Sequence, residues 1–154
     1  MKLQLTFTIF FTTLSVVFSQ NTISNEDIFL NRKFNQDWVF GLNSMNDGLH
    51  YTTLKKGDTT AIEQFNYESL EKVQTILKSS DIQDLNFSSY NFNKNENLIL
   101  LETETENIYR YSKKSIFYVY NIQSQELTKI FDKKIRLAKF SPDSKFVSYV
   151  YRNN

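Results

Sequence analysis

The sequence predicts an all-β protein that holds the first two blades, and the beginning of a third, of an incomplete β-propeller. From Asn35 onward, short runs rich in Tyr, Phe, Ile, Val and Thr alternate with clusters of Asn, Asp, Ser and Gly. That alternation is typical of strands joined by tight turns. A repeat of about 48 residues accompanies it, and repeats of about 40 to 50 residues with four strands each are typical of propeller blades.

The repeat is visible at three turns that each lead into a strand. Equivalent positions in these turns lie 49 and 48 residues apart, at Leu49, Leu98 and Phe146. We expect an aromatic strand end before each turn, at residues 38–40, 90–92 and 138–140. A β-sandwich whose 48-residue spacing is coincidental remains the alternative.

The second half of the repeat recurs at a longer spacing. Residues 62–69 resemble residues 117–124, an offset of 55 rather than the 49 that separates Leu49 from Leu98. The second unit therefore carries about six additional residues, which fall between Leu101 and Ile116. Function is often added to such a scaffold by an insertion into one loop of one repeat. The inserted segment is thus the first place to search for a functional site.

The composition excludes several classes of site. The 154 residues include no Cys, a single His at position 50, and a formal net charge of +1. Without Cys there is no disulfide, thiolate metal site or Cys nucleophile. A lone His with no spaced partner favours a packed or surface histidine over a catalytic base. The near-neutral charge argues against a nucleic-acid partner, and we expect neither a cofactor nor a metal.

The first nineteen residues have the pattern of a secretory signal peptide. Lys2 precedes an uncharged, mostly apolar stretch that ends at Phe18, and Ser19 is a small residue where a signal peptidase would cleave. We therefore expect a secreted or periplasmic location for residues 20–154. The alternative is an uncleaved membrane anchor, although polar residues dilute the run below the roughly 18 to 20 apolar residues that a spanning helix needs.

Two motifs lie at the start of the inserted segment and within it. One is the apolar run Ile99-Leu100-Leu101-Glu102, and the other is the turn Tyr109-Arg110-Tyr111-Ser112. Together with residues 117–122, they resemble the N-terminal region of the dipeptidyl peptidase IV family, serine exopeptidases of the prolyl oligopeptidase clan. The resemblance extends from about residue 24 to residue 154.

The resemblance implies an eight-bladed propeller that covers a C-terminal α/β-hydrolase domain and gates access to it. In this family the Arg of the aromatic-Arg-x-Ser turn points into the central cavity and hydrogen-bonds a carbonyl oxygen of the bound peptide. By motif that residue is Arg110, with Glu102, Tyr109 and Ser112 as supporting residues. A guanidinium suits the task because it offers several fixed donors and stays charged.

Three glutamates alternate along the inserted segment, at Glu102, Glu104 and Glu106. In a regular strand they would share one face. Carboxylates can bind Ca²⁺, but a solvated strand face near Lys113 and Lys114 is the more ordinary interpretation. In the alternative to substrate contact, Arg110 pairs with Glu104 or Glu106 across a surface hairpin, a contact worth at most about 1 kcal/mol.

The resemblance also implies a function and partners. The function would be proteolysis, with this segment gating the enzyme and recognising the carbonyl of a peptide that has a free N-terminus. The family's acidic pair for the substrate amino group has no match here, and neither does the catalytic Ser, Asp and His or a Gly-x-Ser-x-Gly motif. This chain alone should be inactive, and the full-length protein could form a homodimer. A non-enzymatic propeller that binds a protein or a glycan remains the alternative.

Overall fold

The computed structural model describes residues 23–35 and 38–152. The predicted signal peptide and its cleavage site lie outside these residues. The chain divides into an N-terminal unit that ends at Trp38 and a larger unit that begins at Val39. Within the described residues, no helix is long and apolar enough to cross a membrane.

The N-terminal unit contains one short helix among its described residues, α1 (Asn25–Phe29). The Ser24 hydroxyl accepts the Asp27 N–H at 3.1 Å, and the Ser24 N–H donates to the Asp27 carboxylate at 3.3 Å. This reciprocal pair satisfies N–H groups that the first helical turn leaves without partners. This helix was not expected from the sequence, although the Ser-x-x-Asp spacing before Ile28 is its signal.

The larger unit is built of three antiparallel sheets whose strands follow one another in sequence order. The first sheet contains β1 (Asn43–Ser44), β2 (His50–Lys55), β3 (Ala61–Asn66) and β4 (Lys72–Lys78). A 3₁₀ helix (Ser79–Ile82) follows it. The second contains β5 (Ser89–Phe92), β6 (Leu98–Tyr109), β7 (Ser112–Asn121) and β8 (Leu127–Lys129). The third contains β9 (Arg136–Phe140) and β10 (Val147–Val150). The predicted partial β-propeller is confirmed.

The 48-residue repeat is also present in the backbone hydrogen bonds. The first turn of each sheet closes with the same N–H to C=O bond, at 2.9, 3.0 and 2.8 Å: Met45 to His50, Asn93 to Leu98 and Ser141 to Phe146. The same position of each turn has a positive φ, of 68°, 56° and 60°: Gly48, Glu96 and Ser144. The spacing is therefore a structural period.

The second sheet is buried on both faces. Ile99 and Leu101 join one apolar cluster with residues of the first sheet, among them Leu54. Leu100, which lies between them, joins a second cluster with Ile135 and Ala138 beside the third sheet. Because successive strand side chains point to opposite faces, a continuous apolar run is what a strand between two neighbouring sheets requires.

One predicted strand end is wrong. Residues 38–40 lie outside β1, because Gly41 adopts a φ of +59° and interrupts the extended backbone between them and the strand. The Phe40 carbonyl still accepts the Leu54 N–H at 2.7 Å. The other two predicted strand ends lie in β5 and β9.

Tyr90 connects the first sheet to the second. Its hydroxyl donates to the Gly41 carbonyl at 2.7 Å and lies 2.7 Å from the Thr52 hydroxyl. Burial raises the pKa of Tyr90, so the hydroxyl remains a donor at neutral pH. One repeat later the equivalent residue is Ala138, and a cavity of about 380 Å³ lies there between the second and third sheets. The smaller side chain leaves that space open.

Candidate functional site: the inserted hairpin

The inserted segment is an extension of the β6–β7 hairpin. In the first sheet, the five residues 56–60 separate the paired ends of β2 and β3. In the second sheet, the twelve residues 104–115 separate the equivalent pair, Thr103 and Ile116. The insertion is thus seven residues long, against the six expected. The strands continue to the pair Tyr109 and Ser112, which leaves Arg110 and Tyr111 as the two turn residues.

The tip of the hairpin is exposed to solvent. Tyr109 is 79% exposed and Tyr111 90%, and the guanidinium carbon of Arg110 lies 5.6 Å from the centroid of the Tyr111 ring. This is a cation–π contact. Within the described residues Arg110 makes no ion pair, so the alternative pairing with Glu104 or Glu106 is not what the structure has. Its N–H groups are available to a ligand.

A β-bulge directs the glutamates to different faces of the hairpin. Between the pair Thr103–Ile116 and the pair Glu106–Lys114, β6 advances by three residues and β7 by two. Glu104, inside this interval, has a φ of +48°. The extra residue reverses the alternation of side chains, so the expectation that the three glutamates share a face is wrong. In the described part of the chain, no three acidic or His side chains cluster to hold a metal.

Unlike the exposed Glu104 and Glu106, Glu102 is buried. It is 7% exposed, and one carboxylate oxygen lies 2.7 Å from Lys113 Nζ. The other oxygen accepts the Ser115 hydroxyl at 2.7 Å. Ser115 is itself fully buried and lies 3.2 Å from the hydroxyl of Thr105. A charged group is therefore held inside the base of the hairpin by residues of the hairpin.

Glu106, on the opposite face, ties the hairpin to the chain that leads into β9. Its carboxylate lies 2.9 Å from Lys114 Nζ and 3.3 Å from Lys134 Nζ. Hydrogen bonds from Lys114 and then Lys134 lower the pKa of Glu106. Close by, Ser115 and Ile135 exchange two backbone hydrogen bonds of 2.9 and 2.8 Å. The hairpin is thus fixed at its base and exposed at its tip.

A cavity of about 170 Å³ lies between the hairpin and β9, and its lining extends from Glu102 at the base of the hairpin to Tyr111 in the turn. Charged, polar and aromatic residues line it, among them Glu102, Tyr111, Ser112, Lys113, Phe117 and Arg136. Of the predicted site residues, the structure brings Glu102 and Ser112 to this cavity and places Tyr109 and Arg110 at the exposed tip. Lys113 and Arg136 were not predicted as site residues, because they reach the cavity from two other strands, β7 and β9.

His50 lies away from this hairpin and closes the first turn. Its Nδ1 lies 2.6 Å from a carboxylate oxygen of Asp47, and this hydrogen bond is the main cause of a lowered pKa for Asp47. Asp47 also accepts the N–H groups of Leu49 and His50 at 2.9 and 3.0 Å. His50 is the first residue of β2, and Asp47, three residues earlier, is its partner, which was not expected from the sequence.

Comparison with known proteins identifies similar chains. Residues 93–154 match the family model described as the dipeptidyl peptidase IV (DPP IV) N-terminal region. The crystal structure of Porphyromonas gingivalis dipeptidyl peptidase 4 superposes with a TM-score of 0.69 and 27% identity, over 88% of this chain and 20% of that one.

Two curated relatives are also similar. Over 103 residues the chain is 26% identical to the prolyl endopeptidase FAP of Mus musculus, and the matched residues make up 66% of this chain and 13% of that protein. The Homo sapiens protein of the same name is 27% identical over 82 residues, 52% of this chain and 11% of that protein. The chain thus spans less than a sixth of the length of these two relatives.

Proposed function

We propose, from the premise that this chain is part of the N-terminal propeller region of a dipeptidyl-peptidase-IV-like protein, that the inserted hairpin recognises peptide substrates of that protein. Arg110 would donate hydrogen bonds to a carbonyl oxygen of the peptide. Tyr109 and Ser112 would support it as the paired residues that close the turn, and the chain around them would gate access to a hydrolase domain elsewhere in the protein.

One observation supports this proposal: the second sheet has an extended hairpin that the first sheet lacks, and Arg110 lies at its exposed tip. Arg110 has no competing carboxylate within the described residues, and Glu106 is occupied by two lysines. A guanidinium in this state is free to donate to a carbonyl, and it cannot act as a base. The exposed tyrosines on each side offer aromatic surface for peptide side chains.

The substrate class follows from the same premise. We propose peptides with a free N-terminus from which a dipeptide is removed, with Pro or Ala at the second position. The named relatives are a dipeptidyl peptidase and a prolyl endopeptidase, and both names describe hydrolysis of peptide bonds. The catalytic residues would lie outside this chain.

Replacement of Arg110 by alanine in the full-length protein tests the proposal. A lost hydrogen bond to a charged donor is worth about 1.5 to 3 kcal/mol, so kcat/KM on dipeptidyl substrates should fall roughly 10- to 100-fold. Labelling of the catalytic serine by a small inhibitor that does not reach the hairpin should keep its rate. Unchanged kcat/KM would show that the hairpin does not bind substrate.

Arg152 provides a matched control. Its guanidinium carbon lies 5.3 Å from the ring centroid of the adjacent Tyr151, as Arg110 lies beside Tyr111, but it is outside the hairpin. Arg152→Ala should leave kcat/KM unchanged. If both variants lose activity equally, the loss reports general damage and the assignment of Arg110 is wrong.

A further inference from the structure

Glu102 occupies a position where the preceding repeat has a core leucine. The 48-residue period pairs Glu102 with Leu54, because Leu54 lies opposite Ile62 and Glu102 lies opposite Phe117, the equivalent of Ile62. Leu54 is 4% exposed and belongs to the apolar cluster. In the second sheet, which carries the insertion, a carboxylate therefore occupies the interior position that a leucine occupies in the first sheet.

Both partners of this carboxylate come from the extended hairpin, residues 104–115. Lys113 supplies the opposite charge, and the Ser115 hydroxyl donates a hydrogen bond. A buried carboxylate is costly unless it is paired and hydrogen-bonded. Glu102 thus depends on the hairpin for its partners, and the hairpin depends on Glu102 for a fixed contact with the sheet.

The contact lies beside the bulge, where the direction of the hairpin is set. Ser115 reaches Thr105 at 3.2 Å, and Thr105 reaches the Ser88 hydroxyl at 2.8 Å. Ser88 in turn donates its N–H to the Glu102 carbonyl at 2.8 Å. The chain of contacts runs from one hairpin strand across the bulge and back to the sheet. It restrains both strands before they continue to the tip.

We propose that Glu102 is a positioning residue for Arg110: its bonds to Lys113 and Ser115 fix the direction in which the inserted hairpin leaves the sheet. The inference rests on the proposed function only for what Arg110 binds. Removing one partner of an ion pair is costly where the other charge stays buried, but the Lys113 side chain is 51% exposed and can be hydrated. The neighbouring sheet already accommodates leucine at the equivalent place. Glu102→Leu should therefore loosen the hairpin without unfolding the sheet.

The first test measures the hairpin and needs no activity. In the full-length protein, trypsin cleavage after Arg110 should be several-fold faster in Glu102→Leu and in Glu102→Gln than in the wild type, at unchanged or higher Tm. The matched control is Glu63→Gln in the first sheet, whose carboxylate has an exposed fraction of 12% and lies 2.7 Å from Lys72 Nζ. It should leave cleavage after Arg110 unchanged. Equal cleavage rates in all variants would overturn the proposal.

The second test is a double-mutant cycle on kcat/KM. Glu102→Leu should lower kcat/KM roughly tenfold, since a misplaced binding group commonly costs such factors, and the loss should vanish when Arg110 is already alanine. Independent, multiplicative losses would overturn the positioning role while the proposed function stands. If Arg110→Ala itself has no effect, the proposed function fails, and the trypsin result alone decides whether Glu102 positions the hairpin.

Discussion

At the residue scale, Gly41 shows how closely the first two sheets approach each other. It has a φ of +59°, and a Cβ at this position would lie 3.0 Å from Leu54 Cβ and 3.0 Å from an edge atom of the Tyr90 ring. Gly48 also has a positive φ, of +68°, but a Cβ there would meet nothing within 4 Å. A Cβ at Gly48 would therefore cause backbone strain alone, whereas a Cβ at Gly41 would cause backbone strain and crowding.

Alanine substitutions at these glycines should differ in cost. Gly48→Ala should cost about 1 to 2 kcal/mol for the left-handed backbone alone. Gly41→Ala should cost that amount and roughly 1 to 3 kcal/mol more for overpacking. Thermal unfolding of the full-length protein should therefore give a larger fall in Tm for Gly41→Ala. Equal falls would mean that Leu54 and Tyr90 move aside easily.

Single residues differ in how far the sequence reveals them. Arg110 is predicted from four consecutive residues, through their resemblance to a motif of the dipeptidyl peptidase IV family, and its role in binding stays a prediction. The partners of Glu102 are not found, since Lys113 and Ser115 lie 11 and 13 residues away and meet it only through strand pairing. The shared face predicted for the glutamates fails for a similar reason, because nothing in the local spacing indicates the bulge at Glu104.

At the element scale, Glu106 makes the attachment of the hairpin sensitive to pH. Its folded pKa is lowered, mainly by the hydrogen bond from Lys114. Such a carboxylate contributes stability above its unfolded pKa, and that contribution is lost as the pH falls through the folded pKa. The hairpin should therefore stay attached at neutral pH and loosen only at a pH below the ordinary pKa of a glutamate.

Hydrogen exchange of residues 104–115, corrected for the intrinsic effect of pH, measures this attachment. Exchange should speed up as the pH falls through the folded pKa of Glu106. Glu106→Gln should remove most of that pH dependence and show fast exchange already at neutral pH. Glu104→Gln, two residues away and without an ion pair in the described ranges, should behave as the wild type. A wild-type pH profile for Glu106→Gln would contradict the role of this carboxylate.

The elements themselves were predictable where their signals are local. Turns at 48-residue spacing were found because Asn, Asp, Ser and Gly mark them, and the structure repeats their hydrogen bonds. The insertion was found from a change in offset. The aromatic composition of residues 38–40 favours a strand, but none forms there. The positive φ of Gly41 ends the extended backbone before β1.

At the scale of the whole molecule, the sheet unit has apolar surface at its third sheet. Leu137 is 68% exposed and Phe146 71%, and Tyr149 and Val150 are 39% and 37% exposed. Strand β10 pairs only with β9 among the described strands. Exposed edges and apolar faces promote association, and repeat folds take much of their stability from neighbouring units.

Residues 20–154 expressed as an isolated chain should therefore self-associate or be partly unfolded. Light scattering coupled to size exclusion should report species larger than a monomer, and thermal unfolding should be broad. A lysine at the edge, Val150→Lys, should reduce association because charge blunts an open strand. A monomer with a sharp cooperative melt would contradict the prediction.

The sequence order of the strands has a consequence for synthesis on the ribosome. Among the described strands, no two paired residues lie more than 23 positions apart, the distance from Leu98 to Asn121. A chain elongates at about 5 to 20 residues per second, whereas a hairpin forms in roughly 1 to 10 microseconds. Each strand therefore meets its partner within seconds of translation, and no strand of these sheets waits for a distant part of the chain to be made.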